Sequence, residues 1–388
     1  MEPINNLKKT DSEFSLSELM KLHDNIEDNC LNKCIRIGSS KSSDLFYNEL
    51  YKLIMSLKRR LNMNLLELSN YLSDKLCLDI TPSTLYGWMG GRFSGKNRSI
   101  PLNVLNFLIK DYCFDNKKYI LKEWKNINNF ADGIIVRSGA KLNMIKELDE
   151  NLCYFVGLIV GDGSCPNTFA DKNKTKKEYK ITLALKNKKF GDKIAIRINF
   201  LFGINIKPVR IERDNIWNIS FKSKYIFRLL TNIFEIPRGK KSLIVYMPKI
   251  IKNSNKAYIN SFIRGVIDTD GCVYIHKVKD RKDKYLKYLK ITVRMRSKAL
   301  IKDIAEELKK QDYRVKEFSY MGNSFNKKFK VKFYGFYLHN KEAKRYAKEI
   351  GFLNPHKIRV IQKFFQSKSF ALKKGRLYLG YVSSPGLQ

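Results

Sequence analysis

The chain has 388 residues, 44% of them hydrophobic, enough to bury a sizeable core and, by size, to hold two or three domains. Lys and Arg number 75 against 37 Asp and Glu, a formal net charge of +38. Such a field binds polyanions and speeds their approach, so nucleic acid is the expected partner. No apolar run reaches the roughly 18 to 20 residues that span a bilayer, and the N-terminus has no signal-peptide core, so a cytoplasmic protein with no membrane partner is expected. Seven cysteines, an odd number that includes one close pair, Cys30 and Cys34, fit reduced thiols better than a disulfide framework. Four widely separated histidines argue against a structural zinc site.

Residues 1–41 are polar and weakly periodic, a tail or short helices. The first fifty residues hold nine acidic residues against six basic ones, so the basic surface lies beyond them. From Asp44 to Arg60, Leu45, Leu50, Leu53, Ile54 and Leu57 fall at helix spacing. A second helix is expected from Asn64 to about Leu76. In LDITPSTLYGWMGGR, Thr81 can cap, Pro82 suits the first helical position and Gly90-Gly91 stops the helix. A fourth helix starts at Pro101. Residues 42–112 therefore have the pattern of a helix-turn-helix DNA reader, with Leu85 and Trp88 inward and Ser83, Thr84 and Tyr86 as groove-facing candidates. A small helical bundle that reads nothing has the same pattern. Residues 113–150 read as a connector, with Ile134, Ile135 and Val136 as a short strand.

Beyond residue 150 one unit is described twice, over 151–257 and 258–366, with a tail at 367–388. Each copy opens with an apolar helix ending in Asp-Gly, at Asp162-Gly163 and Asp270-Gly271. Lys180-Ile181-Thr182 recurs as Lys290-Ile291-Thr292, at nearly the offset that separates the two aspartates. Helices follow (Phe190 to Leu201, Lys298 to Lys310), then strand pairs (INIKPVRIE and IWNISFKS; YRVKEFSY and KFKVKFYGFY), then closing helices (Lys224 to Ile233, Lys341 to Ile350). The fold class is α+β, α-β-β-α-β-β-α twice, behind an all-α N-terminal domain.

The opening helices carry matching seams. Leu152, Phe155, Val156, Ile159 and Val160 repeat in spacing as Ile259, Phe262, Ile263, Val266 and Ile267, and Gly157 with Gly161 answers Gly265 with Thr269. Small residues four apart let two helix backbones approach closer than the usual separation of about 8 to 10 Å. The helices should pair and bring Asp162 and Asp270 to adjacent C-termini, where the macrodipole and mutual repulsion both oppose a carboxylate. Something positive must offset this, and hard divalent cations take such oxygen ligands. Gly163 and Gly271 are expected to end the helices in a left-handed turn.

FVGLIVGDG (Phe155 to Gly163) and IRGVIDTDG (Ile263 to Gly271) resemble the two defining motifs of the LAGLIDADG homing endonucleases, in their single-chain form. The likeness covers residues 145 to about 365, and IPRGKKSLIVYMPKIIKNSNKAYINSFIRG is similar to the approach to the second motif in archaeal and intein-borne members. The resemblance implies a pseudo-two-fold core with two saddle-shaped antiparallel sheets and an extension related to helix-turn-helix domains. It implies a metal site formed by Asp162, Asp270, Gly161 and Thr269, with magnesium or manganese as cofactor. It assigns supporting basic roles to Lys186, Arg296, Lys240 or Lys241, and Lys357. Arg296 departs from the lysine pattern and cannot accept a proton as lysine can. The sixth motif position is Val160 in one copy and Asp268 in the other, and Asp268 is expected to be structural. An EF-hand is excluded because Val266 and Lys277 fall where oxygen ligands belong.

The function so implied is metal-dependent double-strand cleavage of DNA at a long, partly palindromic site by a monomer. Alternate strand residues would face the major groove. Candidates are Lys180, Thr182, Arg210, Glu212, Arg213, Asn218 and Lys222 in one half and Arg294, Lys316, Lys330 and Lys332 in the other. Tyr320, Phe329, Phe333 and Tyr337 are expected in the core. A DNA-binding regulator that has lost cleavage, and an RNA maturase bound to intron RNA, are the competing readings. Self-splicing is not expected, since the chain ends SSPGLQ with no His-Asn terminus.

Overall fold

A computed structural model describes residues 13–23, 28, 33–39, 43–90, 98–135, 141–169, 177–279, 285–323 and 329–366. Cys30, Gly91, Val136 and the tail at 367–388 lie outside the described residues. The N-terminal elements are α1 (Leu16–Met20), β1 (Arg36–Gly38), α2 (Ser43–Arg60), α3 (Leu65–Leu76), α4 (Pro82–Trp88), β2 (Ile100–Pro101), α5 (Leu102–Tyr112), α6 (Lys117–Phe130), β3 (Gly133–Ile135) and β4 (Lys141–Asn143).

Local chemistry fixes several of these ends. Asn64 caps α3 in a capping box with Glu67, and Thr81 Oγ1 accepts the Thr84 amide ahead of Pro82 at the first position of α4. Gly90 follows with φ +91°, a conformation that favours glycine. Leu50, Leu53, Ile54 and Leu57 are buried with Leu85 and Trp88, whereas Leu45 is 52% exposed and Phe46 takes its place in the stripe. The all-α expectation is corrected. β2-β1-β3-β4 form an antiparallel sheet of strands only two or three residues long, too short to show a period of two. Residues read as a connector hold α6, capped by Asn116 and burying Trp124 and Ile127.

The later elements are α7 (Glu150–Val160), β5 (Gly163–Ser164), β6 (Thr168–Phe169), β7 (Lys177–Glu178), β8 (Lys180–Leu185), α8 (Lys188–Phe202), β9 (Val209–Ile211), β10 (Ile216–Lys222) and α9 (Lys224–Arg228), which runs into a π-helical turn at Leu229–Ile233. After them come α10 (Lys249–Lys252), α11 (Lys256–Asp270), β11 (Gly271–Lys279), β12 (Tyr285–Met295), α12 (Lys298–Lys310), β13 (Lys316–Asn323), β14 (Lys330–His339), α13 (Lys341–Glu349) and α14 (Pro355–Gln366). Two four-stranded sheets share one ordering, β5-β8-β10-β9 and β11-β12-β14-β13, so the repeat seen in the sequence recurs in topology.

The chain divides into two compact units. The first comprises Met1–Leu148, Ile198–Asn205 and Lys222–Ile233, and the second Asp149–Arg197, Ile206–Phe221 and Phe234–Gln388. The first unit is held in part by a buried ionic cluster. Asp28 accepts Arg228 Nη1 at 2.6 Å, faces His23 Nδ1 at 3.2 Å and pairs with Lys224. Burial pushes its carboxyl up, but hydrogen bonds from His23, Arg228 and Lys224 outweigh burial and hold it far below the usual carboxylate range.

In the second unit α7 and α11 cross at small residues. A Cβ built on Gly157 would meet the backbone of Phe262 and Gly265, and one built on Gly265 would lie 2.9 Å from the Leu158 amide nitrogen. Both apolar seams are buried. The left-handed turn expected at Gly163 and Gly271 is absent: Gly271 has φ −75° and ψ 151°, and Gly163 is not among the positive-φ glycines. A Cβ on either would press within 2.5 Å of the last turn of its own helix, so glycine is needed because the strand folds back tightly there.

Candidate active site

The C-termini of α7 and α11 would each leave carbonyl groups without intrahelical partners. Lysines reach both. Lys241 donates to the carbonyls of Ile159, Val160 and Gly161, the last at 2.6 Å, and the buried Lys357 donates to the Ile267 carbonyl. Positive charge at a helix C-terminus also suits the macrodipole. Of the two lysines that the sequence left open, Lys241 occupies this place and Lys240 is exposed.

Asp162 and Asp270 close the two helices. A Cβ on Gly161 would be 3.1 Å from Asp270 Oδ2, which places that carboxylate against the residue preceding Asp162. Burial, then repulsion from Asp162, raises Asp270 to a pKa of about 6 despite the attraction of Lys241 and Lys357. Crowding by protein atoms lifts Asp162 as well, against Lys241, Lys357 and Lys186, although its side chain reaches solvent. Desolvation lowers Lys241 to about 8, opposed by Asp270, Cys165 and Asp162, and it lowers Lys357 too. Two carboxylates and two lysines thus act on one another at the paired helix ends.

Asp268 has a different task. It is fully buried, accepts Tyr154 Oη at 2.9 Å and the Leu353 amide at 2.8 Å, and its carbonyl accepts Asn354 Nδ2 at 2.9 Å. It fastens α11 to α7 and to the segment before α14. Tyr154, Leu353 and Asn354 carry no sequence signal for this, being more than eighty residues away from Asp268. Thr269 spends its hydroxyl on the Gly265 and Val266 carbonyls, and Gly161 lies opposite it.

Among the described residues no group of three or more His, Cys, Asp or Glu side chains is placed to hold a metal ion. A cation beside Asp162 and Asp270 would therefore complete its shell with water or backbone oxygens. Magnesium commonly binds through one or two carboxylates in this way, and the donor set, all hard oxygen, fits it.

The remaining candidates are scattered. Lys186 is exposed and close enough to act on Asp162, whereas Arg296 is half-buried, leaves Nε without a partner and is not among the charges acting on Asp270. Lys180 and Thr182 stand on the face of β8 opposite the buried Ile181, Leu183 and Leu185. Asn218 and Lys222 lie on the face of β10 opposite Ile219, but Arg210 pairs with Trp217 and shares the Ile219 face, beside α8. Glu212 and Arg213 lie in an exposed 3-10 turn.

In the second sheet Arg294 and Lys316 share one face. The register puts Lys330 and Lys332 on the other, with Phe336 and Leu338, because alternation carries through β14 without a break. In α4, Ser83 is exposed and Tyr86 half-buried. Thr84, expected to face a groove, is buried, and its hydroxyl lies 3.0 Å from that of Thr81 and 3.4 Å from Arg98 Nη1.

No family model matches the chain. A probable translation initiation factor IF-2 of Thermococcus kodakarensis is 28% identical over 144 residues, 35% of this chain and 11% of that protein. An uncharacterized protein of Methanocaldococcus jannaschii is 27% identical over 165 residues, 42% of this chain and 55% of that one. A DNA polymerase of Thermococcus hydrothermalis is 27% identical over 122 residues, 31% of this chain and 7% of the polymerase. The chain thus spans only about a tenth of the initiation factor that it matches. Among solved structures, the homing endonuclease I-DmoI in complex with DNA and Mn aligns with a TM-score of 0.37 at 17% identity, over 52% of this chain and 96% of that one. The I-LtrWI LAGLIDADG homing endonuclease bound to target DNA aligns with a TM-score of 0.38 at 14% identity, over 56% and 91%.

Proposed function

We propose that the protein is a site-specific DNA endonuclease of the LAGLIDADG kind that makes double-strand breaks with a divalent metal. The observation that carries this reading is the pairing of α7 and α11, which brings Asp162 and Asp270 together beside Lys241 and Lys357. A structural helix pair gains nothing from two adjacent carboxylates of raised pKa, whereas a site that binds a cation needs them.

Asp162 and Asp270 would hold magnesium or manganese. When bound, the ion polarises the phosphate and makes water a stronger nucleophile at neutral pH. Lys241 and Lys357 hold the helix ends, and so the carboxylates, in place. Lys186, exposed near Asp162, adds positive charge where a phosphate would sit. Lys180 and Thr182 of one sheet and Arg294 and Lys316 of the other supply contacts to phosphates and bases. The halves differ in side chains, so the site should be long and only partly palindromic. Partial matches to an initiation factor and a polymerase fit a module carried inside unrelated hosts, rather than either activity.

The test is selection of cut molecules from a randomised duplex library with Mg2+ or Mn2+, for the wild type, Asp162→Asn and Asp270→Asn. Specific double-strand cuts that disappear in both variants are expected. Cutting that survives both substitutions would sink the assignment.

A further inference from the structure

The second sheet carries aromatic rings that groove reading does not use. On β11–β14 one face is buried through Val273, Leu289, Ile291, Val293, Phe336 and Leu338. The register puts Tyr274, Lys290, Thr292, Arg294, Phe318 and Tyr320 on the opposite face, with Phe333 and Tyr337. That corrects the expectation that Tyr320, Phe333 and Tyr337 are core. Tyr320 is 39% exposed, Phe333 and Tyr337 are half-buried, and Phe329, also expected in the core, is 61% exposed.

These rings are ordered against one another. Tyr320 stacks on Phe333 at 5.5 Å and on Phe318 at 6.3 Å, and Phe318 lies 6.2 Å from Tyr337. Gly335 leaves room for them, since a Cβ there would be 2.6 Å from the Phe318 ring. The result is an open cavity of about 440 Å³ walled by Tyr274, Phe318, Tyr320 and Tyr337 and flanked by Lys290 and Arg294. Lys290 Nζ sits 4.1 Å above the Tyr337 ring, and Arg294 Nη1 is 3.4 Å from Tyr320 Oη. The hydroxyl of Thr292, which lines the same cavity, has no hydrogen-bond partner.

The corresponding face of the first sheet bears Lys180, Thr182 and Ala184, with Asn218 and Ser220, and no aromatic ring among these positions. Polar and basic side chains of that sort read base edges in a closed duplex. Open aromatic faces do not, because every base in a duplex is already stacked. On four-stranded sheets, aromatic rings beside basic residues stack unpaired bases while the cations hold the flanking phosphates.

We propose that this cavity binds one unpaired nucleobase, stacked on Tyr320 and Phe318, with the adjacent phosphates held by Lys290 and Arg294. This rests on the reading of the chain as a nucleic-acid-binding protein, but it does not need cleavage. The occupant is a base presented by a single strand of DNA, by RNA, or by a duplex from which one base is displaced.

The test uses the full chain in chelator, so that no strand is cut, with mixed-sequence 12-mers labelled for anisotropy. The probes are single-stranded DNA, the same sequence as RNA, its blunt duplex, and that duplex with one bulged 2-aminopurine. Tyr320→Ala should weaken at least one unpaired probe by about 5- to 150-fold, the cost of losing one stacking ring. Blunt-duplex binding should stay within about twofold, since it is carried by phosphate contacts. Tyr320→Phe, which keeps the ring, should bind like the wild type and quench aminopurine equally. Which unpaired probe responds identifies the source of the base. Equal losses on blunt and unpaired probes, or no loss on any, overturns the proposal. Duplex cutting in a parallel magnesium assay keeps the two readings separate, since either can fail while the other stands.

Discussion

The helices α7 and α11 both lead into an Asp-Gly pair and are finished by different means. At the end of α7, Lys241 serves three successive carbonyls and Val160 adds packing. At the end of α11 the work is divided: Lys357 takes the Ile267 carbonyl, Asn354 takes that of Asp268, and the Asp268 side chain ties in Tyr154 and Leu353. The repeated strand order therefore goes with like positions for Asp162 and Asp270 but with unlike residues at the ends of their helices. One strategy concentrates on a single cation and the other spreads over a network, so the two ends should respond differently to damage.

The largest effect is expected where the ends have no difference, at the crossing itself. Gly157→Val or Gly265→Val puts side-chain atoms where the opposite backbone lies, and should cost about 3 kcal/mol or more in urea unfolding. A loss below 1 kcal/mol would mean that the helices do not approach as described. Next, Asp268→Val, which copies the first half, strands the Tyr154 hydroxyl and the Leu353 amide and should cost about 2 to 4 kcal/mol. Val160→Ala loses only buried methyl groups, about 1 to 2 kcal/mol. Equal costs would erase the distinction drawn between the ends. Lys241→Met strands three carbonyls and Lys357→Met one, so the first should be the more destabilising, by about 2 against about 1 kcal/mol. The reverse order would show that charge near the carboxylates outweighs capping.

A change with pH is expected at two buried carboxylates, one in each unit. Asp28 is surrounded by cations and held far below its usual pKa, whereas burial raises Asp268, and Lys357 and the hydrogen bonds from Leu353, Tyr154 and Asn354 only partly oppose it. A lowered native pKa means that the unfolded state binds more protons on acidification. The stabilisation from Asp28 is therefore complete above its unfolded value of about 3.9 and is lost as pH falls from there toward the native value. Thermal unfolding of the wild type should show this loss below about pH 4, and Asp28→Asn should flatten the acid slope. Parallel slopes for the two proteins would count against the cluster.

What was legible in the sequence was whatever local spacing encodes. The apolar seams, the small-residue pairs, the Thr81 cap and α12 from Lys298 to Lys310 follow from the period of 3.6 and from cap chemistry within four residues. The pairing of Asp162 with Asp270 was legible too, because the repeat states it twice. Several things depended on contacts that no local window contains. The choice of Lys241 over Lys240, the covering of Thr84 by Arg98, and the anchoring of Asp268 by Tyr154 from 114 residues away are of this kind.

The open aromatic face of the second sheet belongs with them. Alternation in YRVKEFSY and KFKVKFYGFY says that one face must be buried, and hydrophobicity assigns the rings to it. The register decided otherwise, since Tyr320 opposes Phe333, and Thr292 opposes Tyr337, on the face away from Ile291 and Val293. The sequence by itself determined the longer periodic elements, the repeat and the two Asp-Gly helix ends. Tertiary structure decided which face of each strand is covered and what closes each helix, because those are properties of partners far away in the chain.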